Sequence, residues 1–291
     1  MDIKQTIDGK TQLIGLIGWP VSHSFSPAMH NAAAAALGLN WVYLPLPVRP
    51  QDVGSALSGL SALGFRGVNI TVPHKQAVMP FLDRIEDGAR VIGAVNTIHI
   101  NLISTETWQL TGYNTDWLGF LADLETLKVD VGQRDCLVLG AGGSARAIVY
   151  GLAHAGARVH VLARRLIQAT HLAADLKDVS LVQAGPLSNL VDYVADLQAP
   201  LVVNTTPLGM TPNNDRSIWP NHLPFPAGTF VYDLVYNPSK TRLMQQAQAS
   251  GCETSSGIGM LIQQGAIAFE IWTGQKPSIQ IMKKTTNLPQ R

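Results

Sequence analysis

Cysteine is almost absent from this 291-residue chain, which carries only Cys136 and Cys252, far apart and outside any C-x-x-C spacing. Neither a disulfide framework nor a thiolate zinc site is therefore encoded, and a reducing compartment, the cytoplasm, is expected. Charge is scarce as well. Charged residues make up 14% of the chain, the net charge is +1, and the charges are scattered singly, so nothing forms the stripe that tracks a phosphate backbone or an anionic membrane. Nucleic acid is not an expected partner. No apolar run approaches the roughly 20 residues that a membrane helix needs, and the opening MDIKQTIDGKTQ lacks the apolar core of a secretory signal. His23, His30 and His74 do not share a metal-ligand spacing on one helix face, so no metal is expected.

Apolar residues are plentiful instead. They make up 46% of the chain, ample for strands buried on both faces, and the length exceeds what one core usually holds, so two domains are expected. The run LIGLIGWP reads as a strand halted by Gly18 and Pro20, and AMHNAAAAALG as a helix opened by Pro27 and closed by Gly38. WVYLPLPV is strand-like, LSGLSALGF is helical in period, and GVNITV is a strand stopping at Pro73. A polar helical stretch from Asp83 to Arg90 precedes IGAVNTIHIN and a turn, GYNTD, at 112–116. After a helical segment at 117–127, a strand, glycine turn, helix and second strand follow within about 30 residues. Later apolar strands at 199–207 and 228–236 suggest a parallel sheet. The last apolar helix, GMLIQQGAIAFEIWTG, suits packing between domains. The fold class is α/β.

The clearest chemical signal is CLVLGAGGSARA, starting at Cys136, where Gly140, Gly142 and Ala145 satisfy G-x-G-x-x-A between a strand and a helix. Gly140 permits a tight turn, Gly142 and Gly143 let backbone N–H groups approach a pyrophosphate, and Ala145 lets helix and strand pack closely. Ala141 and Ser144 complete the candidate dinucleotide loop; the alternative is a glycine turn with no ligand. At the end of the next strand an NAD enzyme would carry a carboxylate for the ribose hydroxyls. This chain has Ala163-Arg164-Arg165. Two guanidinium groups suit a 2′-phosphate, which favours NADP, although paired arginines can also simply solvate a strand end.

Four further segments follow strand-like runs, where α/β sheets place ligands: GWPVSHSFSPAMHN at 18–31, NITVPHK at 69–75, AVNT at 94–97 and GYNTD at 112–116. With the GAGG turn and the late GIGMLIQQ helix, they resemble the shikimate dehydrogenase family, whose marks are SxSP before HN, NxTxPxK, AVNT, GxNTD and GxGMLxxQ. The likeness runs over nearly the whole chain. It implies a small α/β substrate domain, 1–115 and 254–291, around a Rossmann-like NADP domain, 116–253. It implies reversible NADPH-dependent reduction of 3-dehydroshikimate to shikimate, in aromatic amino acid biosynthesis, by an enzyme that is a monomer or homodimer. The same resemblance allows quinate or dual quinate/shikimate activity.

Residue by residue, the resemblance makes Lys75 and Asp116 the catalytic pair. Ketone reduction needs a proton on oxygen as well as a hydride on carbon, and an ammonium can polarise the carbonyl and donate that proton. Taken alone, Lys75 reads as an exposed charge after a strand and Asp116 as a helix N-cap. Ser24 and Ser26 match carboxylate-binding serines, while Ser26-Pro27 also fits an N-cap followed by an N1 proline. Thr71, Asn96 and Gln264 match positions that bind ring hydroxyls, and Tyr236 one near the bound acid. Thr205, Leu234 and Gly257 fall where the family lines the nicotinamide pocket, and Asp87 on an acidic position near that ring. The chain departs from the family pattern in Ala163-Arg164-Arg165, where an N-R-T-like triplet is common, in Gln263, where alanine is frequent, and in Trp19, where asparagine is usual.

Overall fold

In a computed structural model, which describes residues 7–104 and 107–286, the first apolar run forms strand β1 (Gln12–Gly18). Helix α1 (Ser26–Ala36), β2 (Trp41–Pro47), α2 (Val53–Ala62) and β3 (Gly67–Ile70) follow, so the expected βαβαβ start is present. The next part differs from expectation. The polar stretch after Asp83 contains a two-residue strand β4 (Arg84–Ile85), and helix α3 begins only at Asp87 (Asp87–Ile92). Glu86 is its N-cap, its carboxylate accepting from Gly88 N at 2.9 Å. Strands β5 (Thr97–Ser104) and β6 (Thr107–Tyr113) pair antiparallel, so Gly112 and Tyr113 of the GYNTD segment are strand rather than turn. Among the described residues the sheet order is β2-β1-β3-β5-β6-β4. It is mixed: β1 pairs in parallel with β2 and β3, whereas β5 runs antiparallel to β3 and β6.

The chain continues through α4 (Asp116–Thr126), β7 (Asp135–Leu139), α5 (Gly143–His154), β8 (Arg158–Ala163), α6 (Leu166–Asp175), β9 (Val182–Pro186) and α7 (Leu190–Ala195). Then come β10 (Leu201–Asn204), β11 (Phe230–Asp233), α8 (Arg242–Ala249) and β12 (Glu253–Ser256). These strands form a second sheet, ordered β12-β11-β10-β7-β8-β9 and parallel throughout. This is the doubly wound order of dinucleotide-binding sheets, with the switch point between β7 and β10. Helices α9 (Ile258–Thr273) and α10 (Ile279–Thr286) close the described chain.

Two units emerge, one comprising Met1–Thr115 with Ile262–Arg291, the other Asp116–Leu261. The second unit includes β12, which is hydrogen-bonded to β11 and completes its sheet. In that unit, Val138, Ile148, Val161, Leu172 and Val203 pack on one face of the sheet, and Leu137, Leu162, Val202 and Val231 on the other. Burial on both faces is why these strands read as continuous apolar runs.

In the first unit an aromatic cluster covers one face of the sheet. His30 of α1 is fully buried and stacks on Tyr43, with centroids 4.3 Å apart and planes 2° from parallel. Phe269 and Trp272 of α9 lie 6.1 and 5.5 Å from the same ring. The Trp272 Nε1–H donates to Ile98 O at 3.0 Å, and a Cβ on Gly67 would overlap the indole, which explains a glycine at the start of β3. Neither ring nitrogen of His30 has a hydrogen-bond partner among the described residues. Burial pushes its pKa down to about 3 from 6.5.

The native state therefore binds fewer protons at His30 than the unfolded chain does between these values. Its contribution is fully present above pH 6.5 and is lost, at about 1.4 kcal/mol per pH unit, as pH falls. We expect a His30→Leu variant to lose less stability than the parent between pH 7 and 5, by about 2 kcal/mol. Urea midpoints at the two pH values measure this; equal pH slopes in both proteins would refute it.

Candidate active site

Within the first unit, the substrate-loop residues gather where β1 and β3 end. Thr71 follows β3, its N–H bonded to Ile17 O at 2.9 Å, and a Cβ on Gly18 would overlap the Thr71 methyl. Only a glycine lets these two strand ends approach so closely. Lys75 is half-buried in the turn beyond Thr71, and its carbonyl accepts from Val95 N at 2.8 Å. The NITVPHK and AVNT segments are thus joined by backbone. His74, fully buried between them, has its Nε2 2.8 Å from Val48 O, a structural bond.

Asn96 is the hub of this end of the sheet. Its side chain is buried, at 2% exposure, and a buried amide needs partners. Oδ1 accepts from Thr115 N at 2.6 Å and from Thr97 Oγ1 at 3.2 Å; Nδ2 donates to Thr115 Oγ1 at 2.9 Å and to Gln264 Oε1 at 3.1 Å. Asn69 extends the network, donating to Thr97 Oγ1 at 3.1 Å and accepting from the Tyr43 hydroxyl at 2.9 Å. The sequence reading missed Asn69, Thr97 and Thr115 as positioning residues. Their signal was available, since each stands inside or beside a motif that was singled out.

The serine loop departs from one expectation. Helix α1 begins at Ser26, with Phe25 at the N-cap and no side-chain cap bond, so Ser26 is not the N-cap and Pro27 is the second helical residue. The Ser24 hydroxyl instead accepts from Ser26 N at 3.1 Å. Asp87, also in this unit, is exposed on the first turn of α3, 3.3 Å from Arg90.

The second unit opens with Asp116, which is buried at 4% exposure and is the first residue of α4. Its glycine turn lies between β7 and α5. Gly140 has φ +116°, and a Cβ there would overlap Thr205 Oγ1, which donates to Leu139 O at 2.8 Å. The twelve-residue helix α5 takes Gly142 as its N-cap, a residue with no side chain to cap it, and nothing lies within 4 Å of where its Cβ would be. An open helix N-terminus of this kind presents N–H donors and the positive end of the helix dipole, which fits a pyrophosphate. Ala141, Gly143 and Ser144 are part-exposed around it. Arg164 and Arg165 are exposed just past β8, and no carboxylate stands there.

Thr205, Leu234 and Gly257 follow three adjacent strands, β10, β11 and β12. Leu234 N bonds to Asn204 O at 2.9 Å, and a Cβ on Gly257 would overlap the Leu234 carbonyl. These residues, assigned to one pocket, do lie side by side. Tyr236 is half-buried, with its phenol pKa pushed up by burial. Behind them Asp233 is fully buried and accepts from Asn204 Nδ2 at 2.8 Å, Val235 N at 3.1 Å and Thr241 Oγ1 at 2.6 Å. Burial outweighs these bonds and lifts its pKa to about 6.

This chain matches the family model for the shikimate dehydrogenase substrate binding domain over residues 16–98 and that for the shikimate 5'-dehydrogenase C-terminal domain over 257–285. It is 46% identical to the shikimate dehydrogenase (NADP(+)) of Moorella thermoacetica, over 96% of this chain and 93% of the relative. The chain belongs to the shikimate dehydrogenase family. Among solved structures it resembles the Thermus thermophilus shikimate 5-dehydrogenase in complex with NADP(H) and shikimate, at 35% identity and a TM-score of 0.84, covering 95% of this chain and 98% of that one. The quinate dehydrogenase of Corynebacterium glutamicum in complex with NAD is also similar, at 34% identity and a TM-score of 0.85 over 94% and 98% of the two chains. The shikimate dehydrogenase fold, a substrate domain with a Rossmann-like NADP-binding domain, is thus the architecture of this chain. Among the described residues no cluster of three or more His, Cys, Asp or Glu could hold a metal, and no helix is long and apolar enough to cross a membrane.

Asp233 gives this family member a measurable pH signature. Below pH 3.8 the carboxyl is protonated in both folded and unfolded chains; between 3.8 and 6 only the unfolded chain ionises fully, so its effect is to lower stability as pH rises, levelling off above pH 6 at about 3 kcal/mol. Asp233→Asn should remove that decline, gaining about 2 kcal/mol on the parent between pH 4.5 and 7. Denaturant titrations at those values test it, and parallel pH profiles would refute it.

Proposed function

We propose that the chain catalyses the reversible NADPH-dependent reduction of 3-dehydroshikimate to shikimate, working in the cytoplasm as a monomer or homodimer, with the first unit as substrate domain and the second as NADP domain. The observation that carries most weight is the joining of NITVPHK to AVNT through the Lys75–Val95 backbone bond, beside the buried Asn96, Thr115 and Gln264 cluster. One segment brings an ammonium, and the other brings an amide able both to donate to and accept from an alcohol.

In this reading the glycine turn from Gly140 to Ser144 would hold the dinucleotide, whose nicotinamide would supply or accept the hydride. Lys75 holds the ketone oxygen, polarises it and passes it a proton. Asp116 orients the ammonium and accepts from a ring hydroxyl. Ser24 and Ser26 donate to the carboxylate, while Thr71, Asn96 and Gln264 select the ring hydroxyls and Tyr236 stands beside the acid. Arg164 and Arg165 supply the charge for a 2′-phosphate, and the absence of a carboxylate after β8 sets the chain apart from an NAD-using quinate enzyme.

Absorbance of the nicotinamide band with shikimate or quinate, each with NADP or NAD, tests the assignment. Fast turnover is expected only with shikimate and NADP. Lys75→Ala should lower kcat by about 10²-fold or more without a matching loss of thermal stability. Preferred turnover of quinate with NAD, or full activity in the lysine variant, would overturn the reading.

A further inference from the structure

Arginine has five N–H donors but a long, freely rotating stem, and an exposed one must be ordered before it can grip a phosphate. Arg165 is exposed at the N-cap of α6, and its Nε donates to Gln168 Oε1 at 3.0 Å. Gln168 is half-buried on the first turn of the helix, and its own N–H bonds back to Arg165 O at 3.0 Å. The acceptor thus belongs to a backbone-tied turn, and it engages the one nitrogen that leaves the Nη1 and Nη2 edge of the guanidinium available for a bidentate contact.

We infer that Gln168 is a positioning residue that sets the preference for NADP over NAD, by holding Arg165 through Nε so that its outer edge meets the 2′-phosphate. This rests on the proposed reading of Arg165 as a 2′-phosphate contact. The chemistry of the partner matters. A glutamate at 168 could make the same bond, yet it would neutralise the guanidinium and repel a phosphate dianion, whereas the neutral amide of glutamine orients the charge and leaves it intact. The departure at Ala163-Arg164-Arg165 from the family's usual triplet acquires a local explanation: the second arginine comes with its own brace three residues on.

Binding of NADPH and of NADH, followed separately by nicotinamide fluorescence on the full chain, tests this without relying on turnover. Gln168→Ala should weaken NADPH by about threefold to tenfold, the cost of ordering one long side chain, and leave NADH unchanged. Gln168→Glu should weaken NADPH further than Gln168→Ala does, again with NADH unaffected, and the loss should shrink with added salt. Arg165→Ala is the control for the underlying reading. If it abolishes the NADPH preference while both Gln168 variants keep it, the positioning role is overturned and the 2′-phosphate contact stands. If Arg165→Ala keeps the preference, the contact itself is wrong and the brace has nothing to position. Equal weakening of NADPH and NADH in the Gln168 variants would reduce Gln168 to a prop for α6 and would equally overturn the inference.

Discussion

The side-chain amide of Asn96 is shut away from water, and the groups that satisfy it tie together three segments far apart in the chain. Leaving such an amide unpaired would cost on the order of 1–3 kcal/mol per group, so the segment entering β5 that carries it, the end of the GxNTD segment and the late helix are held in one arrangement. Lys75 reaches the same place through its backbone bond to Val95. The polar end of the first sheet is therefore an ordered constellation before any substrate arrives, which is the condition for a donor to act at low reorganisation cost.

The second unit solves a different problem with different means. Its ligand is anionic, yet the chain carries almost no net charge, so the attraction has to be local. Close packing of Gly140 on Thr205 brings the turn to the strand ends, the side-chain-free N-cap of α5 exposes backbone donors, and two arginines stand where the neighbouring strand stops. In the proposed reading, directional N–H groups and local guanidinium charge would stand in for a broad basic surface, so that a nearly neutral protein could take a highly charged cofactor.

Both units keep a buried titratable group behind the residues assigned to ligands, and the two respond to acid in opposite senses. His30, buried in an aromatic stack, is held neutral by that burial, and Asp233 is pushed toward its neutral form despite three donors. In each case burial is the larger cause. Neither carries an assigned role with substrate or cofactor.

Much of this was legible in the linear chain, for a physical reason in each case. Gly140, Gly142 and Ala145 announce the tight turn between β7 and α5 because only small residues permit that geometry, and apolar runs such as CLVL announce strands covered on both faces. The family was readable because several short motifs occur together in order. What the sequence could not show is pairing across distance. The antiparallel β5–β6 pair, the two-residue β4, the assignment of 253–256 to the second sheet and the true start of α1 all depend on hydrogen bonds to residues remote in sequence or on cap geometry. Asn69, Thr97 and Thr115 looked like ordinary polar residues until the fold buried them around Asn96. Local chemistry, written in residue type and spacing, was the sequence's to determine; which polar groups lose their water, and so must find one another, was decided only by the tertiary structure.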